Sequence, residues 1–289
     1  MTPPLEIRKT YKMYVGGDFI RSESGHYDPA LDRTGKQLAN VCRGSRKDLR
    51  DAVVKARAAQ AKWAGSTAYL RGQILYRLAE MLEGRLDAMT QLLRRSAAGL
   101  TPAKARQEVR ASIDRIVHYA GWADKYGALL SSVNPVASSY FDFSLPEPMG
   151  VVGVVCPDRP SLLGLVSQVL PVVVSGNTAV ALVSESDPIP ALEWAEALAT
   201  SDLPGGVVNL LSGPKAELVP HLARHMDVNA LSLAGLPADL DRQAREDAAV
   251  NVKRVVAGGA ADLAAESAQG LDRIRSFVET KTTWHPVGW

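Results

Sequence analysis

Cysteine is nearly missing from this chain: Cys42 and Cys156 are the only two in 289 residues. Two thiols supply neither a disulfide framework nor a zinc cage, so both read as reduced residues, with Cys156 ending a buried strand. Aromatic residues are scarce at 6%. The basic stretches Arg43-Gly44-Ser45-Arg46-Lys47 and Arg94-Arg95 carry no interleaved rings, so they read as solvated surface and no nucleic-acid partner is expected. Charge of one sign is also lacking: the formal net charge of +2 favours neither nucleic acid nor an anionic membrane. No apolar run reaches membrane-spanning length, because Pro171, Gly176 and Asn177 interrupt the longest one. The opening MTPPLEIRKTYKMYV has no apolar core of signal-peptide type. A cytoplasmic location without membrane contact is the expectation. What remains, 46% apolar and 22% charged, describes a soluble globular chain long enough to bury a large core.

That core is organised around Pro146 to Pro188. An apolar run from Val151 to Cys156 leads into the turn Pro157-Asp158-Arg159-Pro160. A segment with Leu162, Leu165, Val166 and Val169 at helical spacing follows, with a break expected at Pro171. Gly176-Asn177 marks a stop before a second apolar run, Thr178 to Val183. Strand, helix, strand, with both strands apolar on both faces, predicts parallel strands buried in an α/β sheet. In such sheets the turn after the first strand is where a ligand site forms. Further strands are predicted at Gly206–Ser212, Val228–Leu233 and Val252–Val256. Helices near Ile189–Thr200, Lys215–His225 and Leu240–Ala249 separate them, so the whole reads as a doubly wound parallel sheet.

Before this unit, Met13–Val15 and Phe19-Ile20 around Gly16-Gly17-Asp18 predict a hairpin. Ser45 with Asp48 three residues on predicts a capped helix through Ala52, Val53, Ala56, Ala59 and Trp63. One helix is expected over Thr67 to Ser96, with Leu70, Ile74, Leu75, Leu78, Leu82 and Met89 as its stripe. Another is expected from Thr101-Pro102 to Tyr126, with Val109, Ile113, Ile116, Val117 and Ala120 as its apolar positions. Tyr140 to Leu145 alternates, placing Phe141, Phe143 and Leu145 on one face and Tyr140, Asp142 and Ser144 on the other, which predicts a half-exposed strand. Phe277–Trp284 is β-prone and also alternates in polarity. His221 and His225 stand at i, i+4 and could face a metal together, but no third ligand is apparent, so no metal is expected.

Several segments, collinear along the chain, resemble the aldehyde dehydrogenase family. They are YVGGDFIRSESG, the Ala-rich helix ending in Trp63, His118 to Lys125 (HYAGWADK), EPMGVVGVVCP with Pro171, SGNTAVALVSESDP, LPGGVVNLLSG, NVKRVV and the terminal FVETKTTW. The resemblance implies a Rossmann-like dinucleotide-binding domain over residues 1–137 and 149–265. It implies an oligomerisation arm from residues 138–148, a hairpin around Ser139–Pro148, and from the C-terminal strand within 271–289. The family's catalytic domain, with its cysteine nucleophile, would lie between 257 and 271, where only a short connection stands.

The resemblance also identifies what is altered. Aldehyde oxidation needs a thiolate, an oxyanion donor, a carboxylate that activates water, and NAD(P) to take the hydride. The family's oxyanion Asn aligns with Arg159, which has a longer stem. Its general-base Glu aligns with Gly258, in Ala257-Gly258-Gly259-Ala260-Ala261. Its ribose-binding Lys and Glu align with Leu182 and Glu185, in Leu182-Val183-Ser184-Glu185. Its phosphate loop aligns with Leu233-Ala234-Gly235-Leu236 and on to Leu240, keeping the first glycine and replacing a serine and a later glycine by leucine. Ser184, Glu185 and Gly235 are the residual cofactor positions, NAD(P) is the cofactor they would hold, and no bound cofactor and no catalytic residue is the expectation. Asp158 and Arg159 read as a solvated loop pair, and Asn177 and Glu185 as residues that satisfy turn backbone.

The assembly segments, by contrast, are retained. Tyr140, Phe141, Phe143, Leu145, Phe277, Val278, Thr280, Thr282 and Trp284 are the expected interface. The expectation is a non-catalytic subunit partnered by a full-length aldehyde dehydrogenase in a hetero-oligomer. The other reading is an NAD(P)-dependent oxidoreductase or small-ligand enzyme that reuses the crevice with Asp158, Arg159 and Glu185.

Overall fold

The computed structural model describes residues 8–258 and 262–288. Short strands open the chain: β1 (Thr10–Tyr11), β2 (Met13–Val15), β3 (Asp18–Ile20), β4 (Tyr27–Leu31) and β5 (Gln37–Cys42). Helices follow: α1 (Arg46–Ala64), α2 (Ala68–Glu83), α3 (Leu86–Arg95), α4 (Pro102–Trp122) and α5 (Tyr126–Leu130). Two strands, β6 (Ser132–Asn134) and β7 (Tyr140–Pro148), lead into the alternating unit. That unit is β8 (Val151–Val155), α6 (Ser161–Val174), β9 (Thr178–Leu182), α7 (Ile189–Thr200), β10 (Val208–Leu211), α8 (Lys215–Arg224), β11 (Ala230–Leu233), α9 (Ala238–Ala249) and β12 (Arg254–Ala257). A short helix α10 (Leu271–Arg275) and strand β13 (Val278–Pro286) close the chain.

The central sheet runs β12-β11-β8-β9-β10-β2-β3. Its first five strands are parallel and the β2–β3 hairpin is added antiparallel beside β10. Chain order reverses at β8, which has β9 on one side and β11 on the other. Alternation along β8 feeds two cores. Val152 and Val154 join the layer of α2, α4, α6 and α7 around Trp194, while Val151 and Val155 join the layer of α1, α8 and α9. Both faces are covered, which is why these strands read as continuous apolar runs.

The predicted start of α1 is found as a full capping box. The Ser45 hydroxyl accepts from the Lys47 and Asp48 backbone N–H groups, and the Asp48 carboxylate accepts from the Ser45 N–H. Three helix expectations need correction. The helix expected over Thr67–Ser96 is two, α2 and α3, parted at Gly84-Arg85, where Arg85 N–H turns to the Leu82 carbonyl and the ladder restarts with Met89 N–H on the Arg85 carbonyl. Glycine holds a helix interior poorly, and the break lets Met89 and Leu93 face the core. The next helix ends at Trp122, short of Tyr126, which starts α5. Pro171 does not break α6, which runs through it with every one of its residues buried. Each buried Leu or Val contributes about 1.5–3 kcal/mol, so the helix as a whole easily offsets the roughly 3 kcal/mol that one internal proline costs.

A second sheet stands apart, in the order β13-β7-β6. β13 pairs antiparallel with β7 from Val278↔Pro148 to Pro286↔Tyr140. It takes in Ser132–Asn134, upstream of the boundary expected at 138. Residues 271–277 belong to the main body instead, because Ile274 and Phe277 are completely buried there.

Candidate functional site

The parallel strands deliver their C-terminal ends to one edge, and the loops there meet across the β8–β11 reversal. Pro157 and Gly235 face each other so closely that a Cβ on Gly235 would lie 3.1 Å from the Pro157 Cα. Gly235 has φ +65, in the left-handed region that glycine adopts without strain. Gly258, which the resemblance sets against the family's general-base Glu, donates its N–H to the Leu233 carbonyl at 2.6 Å. A Cβ built there would collide with the Cβ of Ala234, so the backbone leaves no room for a glutamate. Gly259 to Ala261, the rest of that aligned segment, lie outside the described residues.

The crevice itself is occupied by the chain's own groups. Lys215, only 5% exposed, sends its ammonium back over the strand ends to the Cys156 carbonyl at 2.8 Å and the Asp158 Oδ1 at 2.7 Å. Asp158 Oδ1 also accepts from the Glu185 N–H at 2.8 Å. The Glu185 Oε2 in turn accepts from the Lys215 N–H at 2.8 Å, which caps the first turn of α8. The Ser184 hydroxyl donates to the Asp158 carbonyl and accepts from the Asp187 N–H. Burial alone would push the Asp158 carboxyl up. The hydrogen bond and charge of Lys215, with backbone N–H groups of Glu185 and Ser186, outweigh it and hold that carboxyl below the usual range. Beside this ring lies a cavity of about 370 Å³ lined by Asp28, Arg43, Ser184, Glu185 and Gly213.

One sequence expectation changes here. Asp158 and Arg159 are not a loop pair: Asp158 is bound to Lys215, while the Arg159 guanidinium donates to the Ala97 carbonyl at 3.3 Å. Leu182, which the resemblance sets against the family's ribose lysine, is a buried residue of β9, as its apolar run predicts. Asn177 and Glu185 do satisfy backbone, but of other segments rather than of their own turns. Asn177 accepts from the Gly150 N–H and donates to the Phe277 carbonyl, and Glu185 caps α8. Cys156 is completely buried, and burial pushes its thiol up to about 12, so it carries no nucleophilic thiolate at neutral pH. Cys42 is buried and free. Among the described residues no cluster of three or more His, Cys, Asp or Glu is arranged to hold a metal, and no helix is long and apolar enough to cross a membrane.

Buried and half-buried ionic groups are what sequence reasoning missed. Glu108 Oε1 accepts from the Leu162 and Leu163 N–H groups at the start of α6, and Asp187 accepts from Ser96, Ala98 and Ser161 nearby. Burial pushes both carboxyls up. Arg115 donates to the carbonyls of Leu263 and Ala268 and to the Ser167 hydroxyl. Arg273 donates to the Ala257 carbonyl and to Gln168, whose amide donates to the Gly258 carbonyl. The connection from β12 to α10 is thereby stitched onto α4 and α6. Signals for two of these groups were present. Lys215 in a first helical turn opposes the helix dipole unless held elsewhere, and Arg115 falls within a stripe otherwise occupied by core residues.

The arm sheet has the opposite polarity to an ordinary half-buried strand. Its covered positions are polar, Asp142 at 5% and Ser144 at 6% exposed, joined by Asn134 and the Thr282 hydroxyl. Phe141 and Leu145 project outward at 46% exposure each, and Val133 beside Phe143 is more open still. Tyr140 packs edge-on against the exposed Trp284, and Thr280 is also exposed. Of the nine expected interface residues, Phe277 and Val278 require correction: both are buried, Phe277 completely, and they anchor β13 to the core.

The model of the Aldehyde dehydrogenase family matches residues 19–269. The Arabidopsis thaliana mitochondrial aldehyde dehydrogenase family 2 member B4 is 32% identical over 238 residues, covering 81% of this chain and 44% of that protein. Among solved structures, HpcC from Thermus thermophilus superposes with a TM-score of 0.81 at 28% identity, over 86% of this chain and 48% of that one. The NAD⁺ complex of a Bacillus cereus aldehyde dehydrogenase shares the fold, with a TM-score of 0.80 at 24% identity over 86% of this chain and 50% of that one. The chain thus spans about half the length of the relatives it matches.

Proposed function

The chain belongs to the aldehyde dehydrogenase family, and from that premise we propose that it is a non-catalytic subunit that assembles with a catalytically intact aldehyde dehydrogenase. The observation that carries this reading is the inverted arm sheet. Phe141, Leu145 and Val133 are exposed on one face of it, and Tyr140 and Trp284 are exposed on the other, beside the covered Asp142 and Ser144. Contiguous exposed apolar side chains on an edge sheet mark a surface that another chain covers. The chemistry points the same way. Gly258 stands where the family has a general base, Cys156 is too buried to attack, and residues 258–270 take the place of a catalytic domain.

The other reading, an NAD(P)-dependent enzyme of the crevice, is opposed by the Lys215–Asp158–Glu185 ring. Those side chains already use the polar groups a nucleotide would need. Mass photometry and co-purification from the native host test the proposal. Tagged chain should emerge in a mixed complex with a full-length aldehyde dehydrogenase, and Phe141→Asp with Leu145→Asp should release it. Tagged chain that consistently emerges alone sinks the proposal. NADH formation from an aldehyde by the isolated chain would replace it with the enzyme reading.

A further inference from the structure

Two sequence features with no role in the crevice meet in space. The basic start of α1 and the histidine-bearing end of α8 line one cleft of about 730 Å³, a volume suited to a small ligand. Arg46, Lys47 and Arg50 approach from α1; His221, Arg224 and His225 approach from α8. Glu23 is the one carboxylate in the lining. We propose that this cleft binds a small phosphate-bearing anion, a site separate from the strand-end crevice and sharing no residue with its cavity.

The donors are available. Lys47 pairs with Glu23, Arg50 with Asp51 and Arg224 with Asp247, and in each pair the cation is more than half exposed. Such pairs are screened and weak, and the cations can turn to a more highly charged acceptor. Arg46 and His221 have no ion-pair or hydrogen-bond partner among the described residues. His225 accepts the Asp227 N–H at its Nδ1, which in the neutral ring leaves the hydrogen on Nε2 as a donor. The α1 N-terminus contributes only its dipole, because Ser45 already accepts from the Lys47 and Asp48 N–H groups. Guanidinium forks match the oxygens of a phosphate, and the lining holds no Phe, Tyr or Trp, the large rings on which single-stranded bases usually stack. Phosphate, rather than nucleic acid, is the chemistry that fits.

Isothermal titration of the full chain at low salt, with pyrophosphate and separately with phenyl phosphate, tests the site. Saturable binding is expected, weakening as salt rises. Arg46→Ala should weaken it about tenfold, the size of one lost charge-assisted hydrogen bond. Arg46→Glu combined with His221→Ala should abolish it. Lys215→Met, in the other crevice, should leave it unchanged. These α1 and α8 side chains lie outside the core, and circular dichroism verifies that the variants fold. No saturable heat with the wild-type chain overturns the proposal. So does binding that survives Arg46→Glu, which would put the anion elsewhere. Neither result bears on assembly with a dehydrogenase, which uses the arm.

Discussion

Replacing Lys215 with methionine tests the claim that the crevice is held shut by the chain's own charges. Methionine keeps an unbranched stem of similar length, so the packing around 215 is largely conserved. The backbone N–H that Glu185 accepts is unaffected. Two charge-assisted hydrogen bonds are lost, one to Asp158 and one to the buried Cys156 carbonyl. The carbonyl loses its ammonium donor, a loss of about 1–3 kcal/mol. The pair with Asp158 is intermediate, since Lys215 is 6% exposed at the side chain and Asp158 44%. Exposed pairs contribute about 0–1 kcal/mol and breaking a buried one costs about 3–5, so about 1 kcal/mol is assigned here. The expected total is about 3 kcal/mol, read by urea unfolding followed through tryptophan fluorescence. A double-mutant cycle with Asp158→Asn should return about 1 kcal/mol of coupling.

The pH dependence supplies an independent check. Asp158 has a folded pKa below its unfolded value, so its contribution is full above the unfolded pKa and lost as pH falls through the folded one. The coupling should therefore be constant from pH 6 to 8, by the ordinary carboxylate range of about pKa 4, and shrink in more acidic solution. Unchanged stability in the Lys215→Met chain, or a coupling indifferent to acid, refutes the idea of a self-filled crevice.

Three further outcomes follow from the packing. Phe277→Ala should destabilise the chain by about 3–5 kcal/mol in urea, while Phe141→Ala should stay within about 0.5 and act only on assembly, which separates core from interface. Gly258→Glu should not create a general base; the Cβ collision with Ala234 should cost about 1–3 kcal/mol, seen as a lower urea midpoint and no hydrolase or dehydrogenase activity. Glu108 is held above the ordinary carboxyl pKa by burial, so its ionisation weakens the fold as pH rises. Glu108→Gln can keep an acceptor oxygen for Leu162 and Leu163, and should gain on the wild type as pH rises from below the ordinary carboxylate range of about pKa 4 to neutrality, read from stability curves measured at both ends.

Strand positions were legible because each buried parallel strand is apolar on both faces, and α7 was predicted with its observed ends. Helix ends were legible where a capping residue marks them, as at Ser45. They were misread where burial overrode a local signal, as at Pro171, or where a modest signal, Gly84, divided a long stripe. Of the candidate site, the changed positions 159, 182 and 258 could be read from the chain. The ring that fills the crevice could not, because Lys215 and Asp158 are far apart in sequence and meet only when α8 packs beside β8. For the same reason Phe277 read as interface: a β-prone phenylalanine next to an exposed strand looks alike whether it points inward or outward.

Family membership and the doubly wound sheet were thus determined by the sequence, through local periodicity and residue identity. The tertiary structure decided which positions of the arm are covered: Asp142 and Ser144 are buried, while Phe141 and Leu145 on one face and Tyr140 and Trp284 on the other stay exposed. It also decided that Lys215 lies across the strand ends, bound to the Cys156 carbonyl and Asp158. Alternation along a strand specifies two faces but not which one meets the body of the protein. That choice is made by the elements on which the sheet rests, here through the Phe277 anchor, the Asn177 contact and the pairing with β13.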